Sequence, residues 1–259
     1  MRGTVSWLSI APVKALGLVR PRSVDLGSHG VSADRRFLLV DADGRLVNGK
    51  RHGDLVRIEP DYDELAERLT LRFPDGSVVS DGCAGGALED VVLYERVIQV
   101  RPVEGPLLDA LVDHAGAGLR LLRVEPPRSA VDRDREGAVS LLSTAALATL
   151  ARQAGVPEVD ARRFRMLIGV DGVPAHAEDG WLDRRVRVGD AVVVPAEPVG
   201  RCAVTTQNPD SGVPDLDTLR VIGGYRGDVP TNEPLPFGVW GAVAVPGRVT
   251  VGDLVELLD

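Results

Sequence analysis

The 259-residue chain is 44% apolar and only 4% aromatic, so its length suits one large domain or two small ones built around Val, Leu and Ala. A formal net charge of −8 argues against nucleic acid as the main partner, which would require a basic face, but allows a local basic pocket. No stretch reaches the roughly 18 apolar residues of a membrane span, and the N-terminus lacks the apolar core of a signal peptide, so a cytoplasmic protein away from membranes is expected.

In chain order, residues 1 to about 100 read as strands and turns. Thr4 to Ile10 alternates and is β-prone. Phe37 to Val40 meets the turn Asp41-Ala42-Asp43-Gly44 and resumes at Arg45-Leu46-Val47, a hairpin. A second hairpin joins Leu69–Phe73 to Ser77–Val79 through Pro74-Asp75-Gly76. Tyr62 to Glu67 reads as a turn or short helix, and strands continue at 91–93 and 97–100. Two helices follow. One covers 106–115, with Leu107, Leu108, Leu111 and Val112 on one face; the other covers 144–154, with Ser143 as N-cap and Gly155 and Pro157 as its stop. The charged run Arg128 to Gly137 reads as an exposed loop. From Phe164 onward strands return, at 166–170, 186–188, 191–194, 203–205, 241–245 and 248–251. The expected fold is mainly β with a few helices, an α+β pair of barrel-like units at 1–105 and 106–259.

Cys202 is one of two cysteines and sits in Gly200-Arg201-Cys202-Ala203-Val204-Thr205-Thr206. An arginine beside a thiol favours the thiolate, which can serve as nucleophile, sulfur carrier or soft metal ligand. The competing reading is a small buried apolar residue. Cys202 and Cys83 lie in unlike contexts and both are expected reduced. Neither belongs to a Cys-x-x-Cys pair and the four histidines are dispersed, which disfavours an iron–sulfur cluster or a zinc site.

Several blocks in order resemble the MOSC superfamily, and within it the two-part architecture of the amidoxime-reducing components. They are Ala11-Pro12-Val13-Lys14, Gly30 to Asp41 with its Asp34-Arg35 pair, Lys50-Arg51-His52, Arg163-Phe164-Arg165, Ala177 to Trp181, Arg201 to Thr206, Asp210-Ser211-Gly212, Tyr225-Arg226 and Val251-Gly252-Asp253. The resemblance implies molybdenum cofactor (molybdopterin) binding. Cys202 then matches the thiolate ligand to the metal. Lys14, Arg35, Lys50, Arg51, Arg163, Arg165 and Arg201 are the cations offered to the anionic tail, joined by Ser143 at a helix N-terminus and Tyr225 at the pocket wall. For each arginine the alternative is a solvated or ion-paired surface residue; for Ser143 it is a plain N-cap. Glu178, Asp179 and Trp181 are read as a structural turn, and Asp34 as pairing with an arginine or capping a loop. His52, beside the expected anion site, is read as an ordinary loop histidine before a ligand or proton-transfer group.

Three departures from the family pattern stand out: Ala15 for a serine, Met166-Leu167 for Pro-Asn, and Asn48-Gly49-Lys50 for Thr-Ala-Arg. The activity implied is an oxidoreductase acting on N-hydroxylated small molecules. No flavin motif or ferredoxin tail is present, so a separate flavin or iron–sulfur reductase is the expected partner. Two alternatives stay open: a sulfur or cofactor carrier using a Cys202 persulfide, and a non-enzymatic module whose pocket takes a different ligand.

Overall fold

The computed structural model describes residues 1–93, 96–116, 118–126 and 134–258. Seven strands close a barrel in the order Arg2–Leu8, Ile168–Asp171, Val139–Ser143, Val239–Val245, Ala191–Pro198, Val186–Val188 and Leu254–Leu257. Neighbours are antiparallel except Val139–Ser143 with Ile168–Asp171, which run parallel. A parallel pair needs a crossover, and helix α2 (Thr144–Ala154) begins it directly after Ser143. Alternation in the strands sends Val5, Leu8, Val186, Val188, Val193 and Val239 into one apolar core.

The other unit has a four-stranded sheet ordered Phe37–Val40, Arg120–Val124, Arg96–Val103 and Glu89–Leu93, and a three-stranded sheet of Glu59–Asp63, Arg68–Arg72 and Val78–Gly82. Phe37, Leu39, Leu69, Leu71 and Leu121 form its core, closed by Leu107 and Leu111 of helix α1 (Pro106–Ala115). A single boundary near residue 105 therefore does not separate the units. The first strand joins the barrel of the C-terminal half, while α1 and Arg120–Val124 belong to the N-terminal core. Apolar surface on these segments finds its complement across the sequence, so the chain crosses the seam.

Helix α2 matches its expected ends, with Gly155 in the left-handed region at φ 69°. A third helix, α3 (Thr218–Arg226), was not signalled, because Gly223 and Gly224 lower its intrinsic propensity; Asp217 starts it by accepting the Arg220 amide at 3.1 Å. The expected strand at 203–205 is instead a 3₁₀ turn, Ala203–Thr206. Tyr62 lies inside the strand Glu59–Asp63, and a turn over residues 64–67 follows it. Of the charged run, 128–133 lies outside the described residues and Asp134–Gly137 forms a 3₁₀ turn. Among the described residues no helix is long and apolar enough to cross a membrane.

Candidate functional site

Cys202 is a free, exposed thiol at the start of the turn Ala203–Thr206, whereas Cys83 is buried. The turn is fixed from behind. The Thr205 amide and hydroxyl donate to the Cys202 carbonyl at 3.0 and 3.1 Å, and the Thr205 and Thr218 hydroxyls share a 2.7 Å hydrogen bond in the interior. Helix α3 thus holds the cysteine loop.

Cys202 lines a cavity of about 290 Å³. Six cationic side chains share the lining (Lys14, Arg35, Lys50, Arg163, Arg165 and Arg201), and among the described residues no carboxylate does. On a chain of net charge −8 this is a local reversal of sign, and a concave site with low-dielectric walls concentrates it.

Both halves of the chain contribute. The loop carrying Lys14 and Arg35 is tied down by Lys14 N–H to Phe37 O at 2.8 Å and Arg35 N–H to Ala11 O at 2.7 Å. Asp34 accepts the Ala11 amide at 2.7 Å and the Arg35 guanidinium, so it both pairs with an arginine and caps the loop. Lys50 is exposed in a turn whose Asn48 carboxamide accepts the Lys50 amide at 3.0 Å. Arg163 and Arg165 come from the 3₁₀ turn Ala161–Phe164 and its left-handed cap, started by Asp160 accepting the Arg162 amide at 2.8 Å. Arg163 donates to Gln207 O at 2.7 Å and pairs with Asp215 at 2.7 Å, so much of its guanidinium fastens the loop after Cys202. Arg165 reaches Leu16 O at 2.9 Å, across to the other unit. Arg201 donates to Phe237 O at 2.9 Å and Phe164 O at 3.0 Å and packs 5.2 Å from the Phe164 ring.

Three lining residues hold left-handed backbone: Ala15 at φ 77°, Arg35 at 54° and Arg165 at 52°. Each costs a residue with a Cβ roughly 1–2 kcal/mol, and outliers of this kind cluster at functional sites. The two units also meet closely here. The Gln207 carboxamide donates to Gly49 O at 2.6 Å. A Cβ on Gly212 would lie 1.9 Å from Gly53 O, and one on Gly53 would lie 2.3 Å from Gly212 O, so only glycine fits at this contact.

Three expected ligands are not brought to the cavity. Arg51 is exposed outside the lining, its amide donating to Asn48 O in the same turn that carries Lys50. Ser143 is 1% exposed; its hydroxyl accepts the His176 amide at 3.1 Å and its amide donates to the Glu178 carboxylate at 3.1 Å, which occupies its polar atoms elsewhere. Tyr225 packs against the α2 side of the barrel with its hydroxyl 3.4 Å from His176 Nε2. His52 does not line the cavity either. Conversely, Asn48, Gly49, Thr205 and Gln207 do line it. Gln207 could have been found as the direct continuation of Thr205-Thr206; the role of Gly49 depends on the cross-unit contact, which no local pattern reveals.

Beneath the site lies a buried polar layer. Glu178 is fully buried, and desolvation pushes its carboxyl above the usual range. Burial, reinforced by the nearby Arg226 charge, pulls His176 down to about 4, and burial pushes Tyr225 up to about 12. Asp179 pairs with Arg226 at 2.8 Å. Phe237 meets the His176 ring edge-on at 5.5 Å and stacks on Phe164 at 4.5 Å, so this layer supports a wall of the cavity.

Among the described residues no group of three or more His, Cys, Asp or Glu is placed to hold a metal ion. Among the described residues that line the cavity, one soft donor, Cys202, stands with six cations. That set suits an anionic ligand carrying a metal together with its own donor atoms.

A MOSC domain model matches residues 114–256, and a MOSC N-terminal beta barrel domain model matches residues 2–87. The chain belongs to the MOSC family. It is 27% identical to mitochondrial amidoxime-reducing component 1 of Xenopus laevis, over 98% of this chain and 81% of that one. It is 29% identical to a molybdenum cofactor sulfurase of Drosophila grimshawi over 86% of its own length, spanning 30% of that protein. Among solved structures, the YUAD protein from Bacillus subtilis aligns over 99% of this MOSC protein and 96% of its own chain, at 13% identity and a TM-score of 0.48.

Proposed function

We propose that the cleft binds the molybdenum cofactor with Cys202 as the protein's thiolate ligand. The protein would then act as an oxidoreductase that reduces N-hydroxylated small molecules with electrons from a separate flavin or iron–sulfur reductase. The observation that carries this reading is the exposed Cys202 thiol in a cavity with six cations and no lining carboxylate among the described residues. The amidoxime-reducing relatives supply the substrate class.

Each residue has a physical task. Lys14, Arg35, Lys50 and Arg165 give the charge that holds a phosphate-bearing tail. Arg163 and Arg201 spend hydrogen bonds on backbone carbonyls and so set the Cys202 loop and the Phe164 wall. Lys50 supplies charge without the bidentate fork that an arginine would bring. When bound, the cofactor supplies two-electron, oxygen-atom-transfer chemistry. The exposure of Cys202 leaves that face open to a substrate. The same exposure favours a second reading, sulfur carriage on Cys202, which a mass gain of a single sulfur atom on that residue would mark.

The test is turnover of benzamidoxime by the molybdenum-loaded protein with reduced viologen as electron source. Amidine formation by wild type and its loss in Cys202→Ala support the reading. Absence of turnover in molybdenum-replete wild type overturns the oxidoreductase assignment.

A further inference from the structure

The lysines and arginines of the Cys202 cleft carry hydrogen-bond donors and no acceptor. Among the described residues that line it, three neutral side chains bring an oxygen: Asn48, Thr205 and Gln207. The Asn48 oxygen accepts the Lys50 amide at 3.0 Å. The Thr205 hydroxyl is committed to the Cys202 carbonyl at 3.1 Å and to the Thr218 hydroxyl at 2.7 Å. Gln207 differs from both.

Its backbone is fixed at both ends, the amide donating to Val204 O at 3.2 Å and the carbonyl accepting Arg163 at 2.7 Å. Its side-chain nitrogen donates to Gly49 O at 2.6 Å. A carbonyl only accepts, so this bond dictates which end of the carboxamide faces Gly49 and leaves Oε1 without that partner. Among the described residues Oε1 accepts no hydrogen bond, and it is not sealed from solvent. A Cβ built on Gly49 would lie 3.6 Å from Oε1 and 3.8 Å from a Val204 methyl, so the oxygen sits where Gly49 and Val204, both lining residues, come together. Three hydrogen bonds thus hold a neutral acceptor in place before any ligand arrives, which lowers the ordering cost of using it.

We infer that Gln207 selects the substrate: its Oε1 accepts an N–H from an amino group on the carbon that bears the N–OH function. The cleft therefore prefers amidoximes to N-hydroxylated compounds that lack such an N–H. The inference rests on the proposed function for the substrate family and narrows it to one class. A carboxamide does not titrate, so Gln207 moves no proton and takes no part in breaking the N–O bond; it orients. The bond is neutral and partly open to water, so its removal should cost about five- to tenfold in affinity.

The test is calorimetric titration of the full-length protein from a molybdenum-competent host, without an electron donor so that nothing turns over. The ligands are benzamidoxime and acetophenone oxime, which differ only in an amino group against a methyl. Wild type should bind benzamidoxime about five- to tenfold more tightly, at about 1 mM or better. Gln207→Leu should bring the two ligands within about twofold of each other by weakening benzamidoxime alone. Equal affinities in wild type, or no saturation by about 10 mM benzamidoxime, overturn the inference. So does a leucine variant that keeps the preference or weakens both ligands alike, the mark of a merely structural role. Molybdenum content is measured beside the titrations, and its loss in Gln207→Leu assigns the residue to the cofactor and likewise overturns the inference. The comparison on wild type decides the matter if the variant does not fold. Wild type that shows the preference but does not turn benzamidoxime over with reduced viologen defeats the oxidoreductase reading and leaves the ligand selection supported.

Discussion

Replacing Gly212 by alanine should loosen the seam that forms the Cys202 cleft. Gly212 holds φ +71°, and its added Cβ would sit 1.9 Å from the Gly53 carbonyl oxygen. The left-handed backbone alone costs about 1–2 kcal/mol for alanine. Relieving a backbone overlap adds about 1–3 kcal/mol, so the total is about 2–5 kcal/mol. Gly44 provides the control: it has φ +75°, and a Cβ there meets nothing within 4 Å. Gly44→Ala should therefore cost only the backbone penalty, about 1–2 kcal/mol. At roughly 2–4 °C per kcal/mol for a domain of this size, the melting temperature should fall by about 4–20 °C for Gly212→Ala and by about 2–8 °C for Gly44→Ala. Differential scanning calorimetry of both variants and wild type is the assay. Equal shifts for the two alanines would refute the reasoning, because the whole difference between the sites is the contact across the seam.

Further expectations concern the buried layer and the thiols. His176 titrates near 4 in the fold against an ordinary 6.5, so the unfolded chain takes up the proton first. Stability is complete above about pH 6.5 and declines as pH falls toward 4, by about 1–2 kcal/mol after allowing for partial exposure. Urea midpoints at pH 7 and pH 5 should show this decline, and His176→Asn should flatten it; an unchanged slope in the variant contradicts the assignment. Glu178 is displaced upward, so its contribution is present below its ordinary pKa and lost as pH rises. Glu178→Gln keeps an acceptor for the Ser143 amide and removes the charge, so its stability relative to wild type should improve between pH 5 and pH 8; a relative decline would count against it. In the native protein one thiol should react rapidly with Ellman's reagent. The second, Cys83, is buried, pushed up to about 11, and donates to Glu67 O at 2.9 Å, so it should react only on unfolding. Rapid reaction of both thiols in the folded state would show that Cys83 is accessible.

Much of the fold was readable because its signals are local. Alternation in 186–188 and 191–194, the Asp-Gly hairpin at Gly44, and the Ser143 and Gly155 ends of α2 all depend on neighbouring residues. What escaped depends on distant partners. The strand Arg2–Leu8 pairs with Ile168–Asp171 and Leu254–Leu257, and no short window contains that information. Ala203-Val204-Thr205 has strand propensity, yet the Thr205 hydroxyl, donating to the Cys202 carbonyl and sharing a hydrogen bond with the Thr218 hydroxyl, holds it as a turn. The site divides in the same way. Lys14, Arg35, Lys50, Arg163, Arg165, Arg201 and Cys202 line one cavity, a meeting of both halves of the chain that no local block could show. Arg51 and Ser143 carry suitable chemistry, but a turn leaves the first outside and a buried carboxylate occupies the second. Gly53 and Gly212 matter only because two loops from different units touch.

The most direct test of the central claim is molybdenum content, with oxidised-pterin fluorescence, on protein from a molybdenum-competent host, wild type beside Cys202→Ser. Cys202 is exposed, so the substitution should change stability by no more than about 0.5 kcal/mol and leave the barrel intact. Near-stoichiometric molybdenum and pterin are expected in wild type, with loss of the metal in the variant. Folded wild type that carries neither molybdenum nor pterin, or a variant that retains both in full, would contradict it.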